Sequence, residues 1–318
     1  MEIAFGPVPS RRLGRSLGIN NIPPKACSYS CVYCQVGPTR EPEIVPRAFY
    51  PPAQILAAVR ERVARLRAQG EEIDYLTFVP DGEPTLDANL GVTIEALRVL
   101  DIPIAVISNA SLLWRDEVRR NLAAADWVSL KLDAVDDALW RRINRPHPGL
   151  EHHAILSGMA AFARSYRGTL ATESMLVQGV NDSAVAARRL AEVLRPLAPA
   201  VAYLAVPTRP PAETGVRPAD ELALTRAHQI LAAQLPRVEL LTGYEGNAFA
   251  ASGDLAQDLL AITAVHPLRE EAVAQLLADH GAAWQLVERL VDQGQLLWTD
   301  YEGRRFLVRR LAATAGGG

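Results

Sequence analysis

What most restricts this chain is a repeated change of period in its apolar residues, from two to about 3.6 and back. Strand patterns at 16–22, 73–79, 104–107, 127–132, 169–177 and 200–206 are each followed by a helix pattern, at 51–70, 86–100, 115–124, 150–166, 183–194 and 219–235. The first helix shows the logic. Pro51-Pro52 presets its opening turn, Ile55, Val59, Val63 and Leu66 recur on one face, and Gly70 ends it. Six such units imply a parallel sheet, because a helix that carries the chain back to the starting end sets successive strands running the same way. The expected fold class is α/β, and two architectures stay open on this pattern: a partial TIM-like (β/α)6 barrel or a doubly wound open sheet.

Length and charge narrow the class further. The 318 residues, 49% hydrophobic, suffice for a barrel-sized core plus a smaller unit. A net charge of -3 argues against a whole-protein polyanion footprint. Basic residues do cluster at Arg11, Arg12 and Arg15, at Arg141, Arg142 and Arg145, and at Arg304, Arg305, Arg309 and Arg310. Such runs ordinarily form solvated faces. The first residues lack the charged start and apolar core of a secretory signal, and no apolar run reaches the ~18 residues of a membrane span. A cytoplasmic protein with no membrane partner is the expectation.

All three cysteines fall on one short loop, as Cys27-x3-Cys31-x2-Cys34. Their crowding suits metal binding in a reducing compartment better than disulfide pairing. Thiolates select iron-sulfur clusters, zinc or copper, and three of them can hold three corners of a 4Fe-4S cube, leaving one iron open for chemistry. A structural zinc site or three unrelated buried cysteines is the competing reading. Zinc in that role wants four ligands, and neither a second Cys-x2-Cys pair nor a nearby histidine is offered.

Other polar residues follow the strands. Asp81-Gly82-Glu83-Pro84 follows the second, Ser108-Asn109 the third, Asp133 the fourth, 179–182 the fifth and 207–213 the sixth. Both open architectures place their sites at that end. On the fourth strand Ser129, Lys131 and Asp133 share one face, opposite Val128, Leu130 and Leu132. Charges on a strand covered on both sides must be paired, so Lys131 and Asp133 are read either as ion-pair partners of neighbouring strands or as ligand contacts. Arg209 and Glu213 flank a stiff Pro210-Pro211 segment and are candidate substrate contacts at the mouth. Tyr244-Glu245-Gly246-Asn247 is a weaker candidate.

The cysteine spacing, with aromatic Tyr33 just before the last cysteine, resembles the cluster motif of the radical S-adenosylmethionine (radical SAM) superfamily, and the strand-helix repeat resembles its partial barrel. The resemblance implies a 4Fe-4S cluster on Cys27, Cys31 and Cys34 and S-adenosyl-L-methionine as cofactors. It also implies reductive cleavage of that cofactor to a 5'-deoxyadenosyl radical, which abstracts hydrogen from a substrate. Asp81-Gly82-Glu83-Pro84 is similar to the family's GGEP segment, with Asp81 departing from its first glycine. By the same similarity Tyr33, Gly82, Glu83, Pro84, Asn109, Asp133 and Glu173 are cofactor-binding candidates. The run 5–12 through the cysteine loop, with Ser108 to Leu113, resembles a branch similar to the wyosine-synthesising tRNA-modifying enzymes. An oxidoreductase- or lyase-type reaction on an RNA or protein substrate is implied, with an external flavodoxin or ferredoxin as electron donor.

The pattern changes after about residue 255. Helix patterns at 268–277 and 284–293, then strand patterns at 295–299 and 305–309 around a turn at 300–303, suggest a winged helix-turn-helix. The expected division is a barrel over 1–245, a linker or helix over 246–264, a winged-helix-like unit over 265–311 and a disordered tail over 312–318. A second functional class follows from that unit: a DNA-binding regulator that senses redox state through the cluster. Duplex DNA is the weaker partner, because the second helix offers Gln285, Arg289 and Gln293 alongside acidic Glu288 and Asp292.

Overall fold

The computed structural model describes residues 2–242 and 254–310. An eight-stranded sheet runs in chain order: β1 (Ala4–Ser10), β2 (Gly14–Ile19), β3 (Tyr75–Phe78), β4 (Ile104–Ser108), β5 (Trp127–Lys131), β6 (Thr169–Met175), β7 (Val201–Ala205) and β8 (Val238–Leu241). From β2 to β8 every neighbouring pair is parallel, while β1 pairs antiparallel with β2. The sheet curls into a half-barrel, so the partial TIM-like architecture holds and the doubly wound one does not.

The connecting helices are α1 (Pro52–Ala68), α2 (Leu90–Leu97), α3 (Asp116–Leu122), α4 (Asp137–Asn144), α5 (His152–Ser165), α6 (Ala184–Leu194) and α7 (Glu221–Ala232). Alternation sorts each strand between two cores. Leu76, Phe78, Ile104, Val106, Val128 and Leu130 pack outward with α1 residues Ile55, Val59, Val63 and Leu66 in one large cluster. Ala105, Trp127, Ala171, Val201 and Tyr203 point inward and form a second cluster with Leu13 from the β1–β2 turn. Burying each large apolar side chain contributes roughly 1.5–3 kcal/mol, which secures the register against a one-residue slip.

Three elements were not anticipated. β1 carries two prolines, Pro7 and Pro9, which are tolerated because it is the sheet's outer strand and its register shifts between Phe5 and Val8. β8 is too short to stand out by periodicity. α4 is a short amphipathic helix, capped by Asp136 accepting from Ala138 and Leu139 amides and burying Trp140 and Ile143. The basic run containing Arg12 is not wholly a solvated face: Arg12 is half-buried and ion-paired with Glu173, whereas Arg15 binds Asp74 and Glu72 at the surface. Nothing is described at 244–247 or 312–318.

Residues 254–310 supply α8 (Leu255–Val265), β9 (Leu268–Arg269), α9 (Glu270–Asp279), α10 (Gln285–Asp292), β10 (Leu296–Tyr301) and β11 (Arg304–Arg309), with a three-stranded antiparallel sheet in the order β10-β11-β9. They share a small core that includes Leu259, Ile262, Leu276, Val287 and Leu307. α8 also lies along β1, where Ala261 packs against Phe5 and covers the outer strand. Its Asp258 meets Arg62 of α1 at 2.8 Å, with both side chains buried, and the same guanidinium donates to the Gly6 carbonyl at 2.6 and 2.9 Å. Removing one member of a buried pair leaves an uncompensated charge. Asp258→Ala is expected to cost about 3–5 kcal/mol, measurable as a fall in the denaturation midpoint that Arg15→Ala, at the exposed pair, does not reproduce.

Candidate functional site

Between β2 and α1 the loop that carries the cysteines is fastened on two sides. On one side lies the turn after β3, where the Lys25 amide donates to the Asp81 carbonyl at 2.6 Å and the Glu83 amide to the Ala26 carbonyl at 2.9 Å. Gly82 is required at that contact, since a Cβ there would sit 1.9 Å from the Ala26 carbonyl oxygen. On the other side lies the end of α4. The Ser30 and Val32 amides donate to the carbonyls of Asn144 and Ile143, each at 3.0 Å, and the His147 amide donates to the Ser28 carbonyl at 2.9 Å. The last carbonyls of a helix need partners, and the cysteine loop supplies them.

These attachments bring the three cysteines to one cavity of about 170 Å³. Tyr29, Tyr33, Gly82, Glu83, Ser108, Asn109, Lys131, Asp133, Trp140, Asn144 and His152 also line it. Among the described residues no three His, Cys, Asp or Glu side chains converge on a point that one metal ion would occupy. Burial pushes the Cys31 thiol up to about 12 and Cys27 further. The unloaded Cys27 and Cys31 thiols are therefore protonated, and metal must displace those protons to bind.

The carboxylates differ in how they are held. Glu83 is fully buried, and its two oxygens accept from the Thr85 amide and hydroxyl, the Ser108 hydroxyl and the Asn109 amide, at 2.6–3.1 Å. Burial raises its pKa and those donors oppose the rise. Asp133 accepts from the Tyr33 hydroxyl, from Asn144 Nδ2 at 2.6 Å and from the Met175 amide at 2.8 Å. Glu173 binds Lys131 at 2.9 Å and also Arg12. Lys131 thus joins an ion pair with the neighbouring strand and also faces the cavity, whereas Asp133 is held there by hydrogen bonds. Asp81 is 1% exposed, and neither carboxylate oxygen has a hydrogen-bond partner.

Of the candidates, the cysteines, Tyr33, Gly82, Glu83, Asn109, Lys131 and Asp133 share the cavity wall. Pro84, Glu173, Arg209 and Glu213 do not line it. Pro84 opens the short turn after Glu83. Arg209 lies outside, donating to Gln35 at 2.9 Å and contacting His266, while Glu213 pairs with Arg145. Lys25, Tyr29, Trp140, Asn144 and His152 were missed. The last three lie on or beside α4, whose Asp136 cap and i, i+3 pair Trp140 and Ile143 were the available signal. His152 stacks on Trp140 with centroids 4.5 Å apart.

Residues 21–191 match the family model described as the radical SAM superfamily. The chain belongs to the radical SAM superfamily. It is 46% identical to the UPF0026 protein MJ1312 of Methanocaldococcus jannaschii over 98% of this chain and 97% of that protein. A UPF0026 protein of Helicobacter pylori strain 26695 is 29% identical over 92% of this chain and 93% of the relative. The fold is similar to a structure of TYW1 with a lysine-pyruvate adduct bound (TM-score 0.54, 17% identity, 70% of this chain and 76% of that one). It is also similar to a radical SAM methyltransferase from Sphaerobacter thermophilus (TM-score 0.53, 18% identity, 71% and 66%). Membership brings a 4Fe-4S cluster and S-adenosylmethionine as the cofactors. No helix among the described residues is long and apolar enough to cross a membrane.

Two expectations follow from the geometry. Gly82→Ala pushes the Ala26 carbonyl, and with it the cysteine loop, out of place. Iron and sulfide bound after anaerobic reconstitution should fall to less than about half of wild type. For Asp81, burial raises the carboxyl to about 7 from its ordinary 3.8. The folded state then holds the proton more tightly, so the stability this group contributes is fully present below pH ~4 and is lost as pH rises through ~7, by about 4 kcal/mol in all. Asp81→Asn should remove that slope in urea denaturation of the apoprotein at pH 5 and pH 8 and stabilise the protein at the higher pH.

Proposed function

We propose that this radical SAM enzyme abstracts hydrogen from a large substrate, an RNA before a protein, which the C-terminal residues help to hold. The observation that carries the chemistry is the set of Cys27, Cys31 and Cys34 opening on one cavity at the strand ends, with Glu83, Asn109, Lys131 and Asp133 on its wall. Loaded with the cluster and S-adenosylmethionine, such a site supplies a 5'-deoxyadenosyl radical.

The chain's own residues then have separable tasks. The three thiolates hold the cluster. Gly82 lets the loop seat, and Glu83 locks the Ser108-Asn109 turn through the hydroxyl and the amide it accepts from. Tyr33 and Asp133 form the opposite wall, with Lys131 oriented by Glu173. Pro84 and Glu173 act behind that wall as supports. Arg209 and Glu213, outside it, are rim contacts for substrate. An external flavodoxin or ferredoxin supplies electrons, and a reducing cytoplasm suits the thiolates.

The helix-strand-helix-helix-strand-strand order of 255–309 supports reading these residues as a winged-helix-like unit. Its hairpin presents Trp298, stacked on Trp284 at 6.0 Å, with the exposed Arg305 guanidinium over its ring at 4.5 Å. Aromatic rings and arginine planes are the groups on which unpaired bases stack. Tyr301 of the same hairpin donates to the Pro207 carbonyl at 3.2 Å, so the hairpin adjoins the rim segment 207–213. The alternative, a DNA-binding redox sensor, draws no support from the relatives above, and α10 carries Glu288 and Asp292.

Anaerobic reconstitution with S-adenosylmethionine and dithionite should yield 5'-deoxyadenosine, with Cys27→Ala abolishing it. Total tRNA should stimulate the yield severalfold, and Trp298→Ala should weaken tRNA retention about 5–100-fold without changing the basal yield. A cluster-loaded protein that forms no 5'-deoxyadenosine sinks the enzymatic reading. Retention unchanged in Trp298→Ala sinks the RNA assignment alone.

A further inference from the structure

Each cysteine sulfur has its own side-chain nitrogen donor. Asn144 Nδ2 lies 3.3 Å from Cys31 Sγ, Asn109 Nδ2 lies 3.6 Å from Cys27 Sγ, and Lys25 Nζ lies 3.8 Å from Cys34 Sγ. The donors come from three separate places: the end of α4, the turn after β4 and the loop itself. Asn144 is the most tightly held. It is buried, its amide bridges Cys31 Sγ and Asp133 Oδ2, and its own carbonyl accepts the Ser30 amide. Asp133 is in turn fixed by the Tyr33 hydroxyl and the Met175 amide, so the carboxylate aims the amide at the sulfur.

We infer that Asn144, backed by Asn109 and Lys25, sets how readily the site accepts its electron; this rests on the reading of the three cysteines as cluster ligands. One electron enters from an external low-potential donor, which is oxidised, and no bond in the protein forms or breaks. With a cluster held by Cys27, Cys31 and Cys34, that electron would add one negative charge, part of it on the thiolate sulfurs. N–H groups pointing at sulfur stabilise that charge and raise the reduction potential, whereas the Asp133 carboxylate beside Cys31 opposes it. Asn144 is therefore a positioning and tuning residue that stands between a sulfur and the nearest carboxylate.

The test is a redox titration of the full-length, anaerobically reconstituted protein without S-adenosylmethionine, followed by electron paramagnetic resonance of the reduced cluster. In Asn144→Leu the reduced-to-oxidised ratio at the wild-type midpoint should fall about threefold or more, and in Asn109→Ala it should fall by a smaller factor. Asp133→Asn, which removes the opposing charge, should move the ratio the other way. A general loosening of the site would not give opposite signs. Wild-type protein with 15N-labelled asparagine should show nitrogen hyperfine coupling to the reduced cluster, diminished in Asn109→Ala. Unshifted midpoints in variants with full iron content overturn the inference, as does absence of that coupling in wild type should Asn144→Leu fail to load. A wild-type chain that binds no iron would instead overturn the ligand reading on which the inference stands.

Discussion

The hydrogen bonds that clamp residues 25–32 between the turn after β3 and the end of α4 are the constraint on which the site depends. Three thiols on a short loop have no intrinsic reason to face one cavity, because loop backbone is costly to order and its polar groups must find partners. Here the partners are the carbonyl of Asp81, the amide of Glu83 and the unsatisfied carbonyls of a helix end. The loop gains fixed geometry and the helix gains its cap in the same contacts. Asn144, at the last turn of α4, is delivered to Cys31 by the backbone bonds that hold Ser30 and Val32.

The half-barrel interior imposes a second condition. Its lower part is closed by Leu13 and the inward aromatic residues Trp127 and Tyr203, and above them the half-buried cations Arg12 and Lys131 flank the buried Glu173 carboxylate. A carboxylate between two cations is the arrangement that a low-dielectric interior tolerates, since each charge has a partner. Its effect is directional: the Glu173 carboxylate holds Lys131 against the site while Arg12 balances it from the β1–β2 turn. The cavity is thereby confined to the strand-end rim.

Much of this was legible in the sequence, and the residues show why. The six strand-helix units were readable because β2 to β7 bury both faces and their helices show one apolar stripe. The cysteine spacing carried the resemblance that implies the cluster, and alternation on β5 put Ser129 and Lys131 on one face. β1 was hidden by Pro7 and Pro9, which argue against a strand unless it lies at an edge, and edge position is a tertiary fact. Asn144 was hidden because its partner is 113 residues away in sequence, and a short helix ending in Asn-Arg-Pro carries no local sign of a sulfur contact. Gly82, a cofactor-binding candidate by resemblance, has a further reason to be glycine that only the fold shows: a Cβ there would meet the Ala26 carbonyl oxygen.

The acidic residues around the loop sharpen the electrostatic problem the site must solve. Thiolates bring negative charge to a place already bordered by Glu83, Asp133 and Asp81, and burial makes each further charge more costly. Glu83 and Asp133 are offset by donors on both of their oxygens, which spread their charge into backbone amides, hydroxyls and the Asn144 amide. Asp81 has no such donors, and burial raises its carboxyl to about 7, which favours the protonated form. The three acids therefore occupy one rim by two different means, hydrogen bonding and protonation. The means available to each is decided by which backbone amides its turn leaves free.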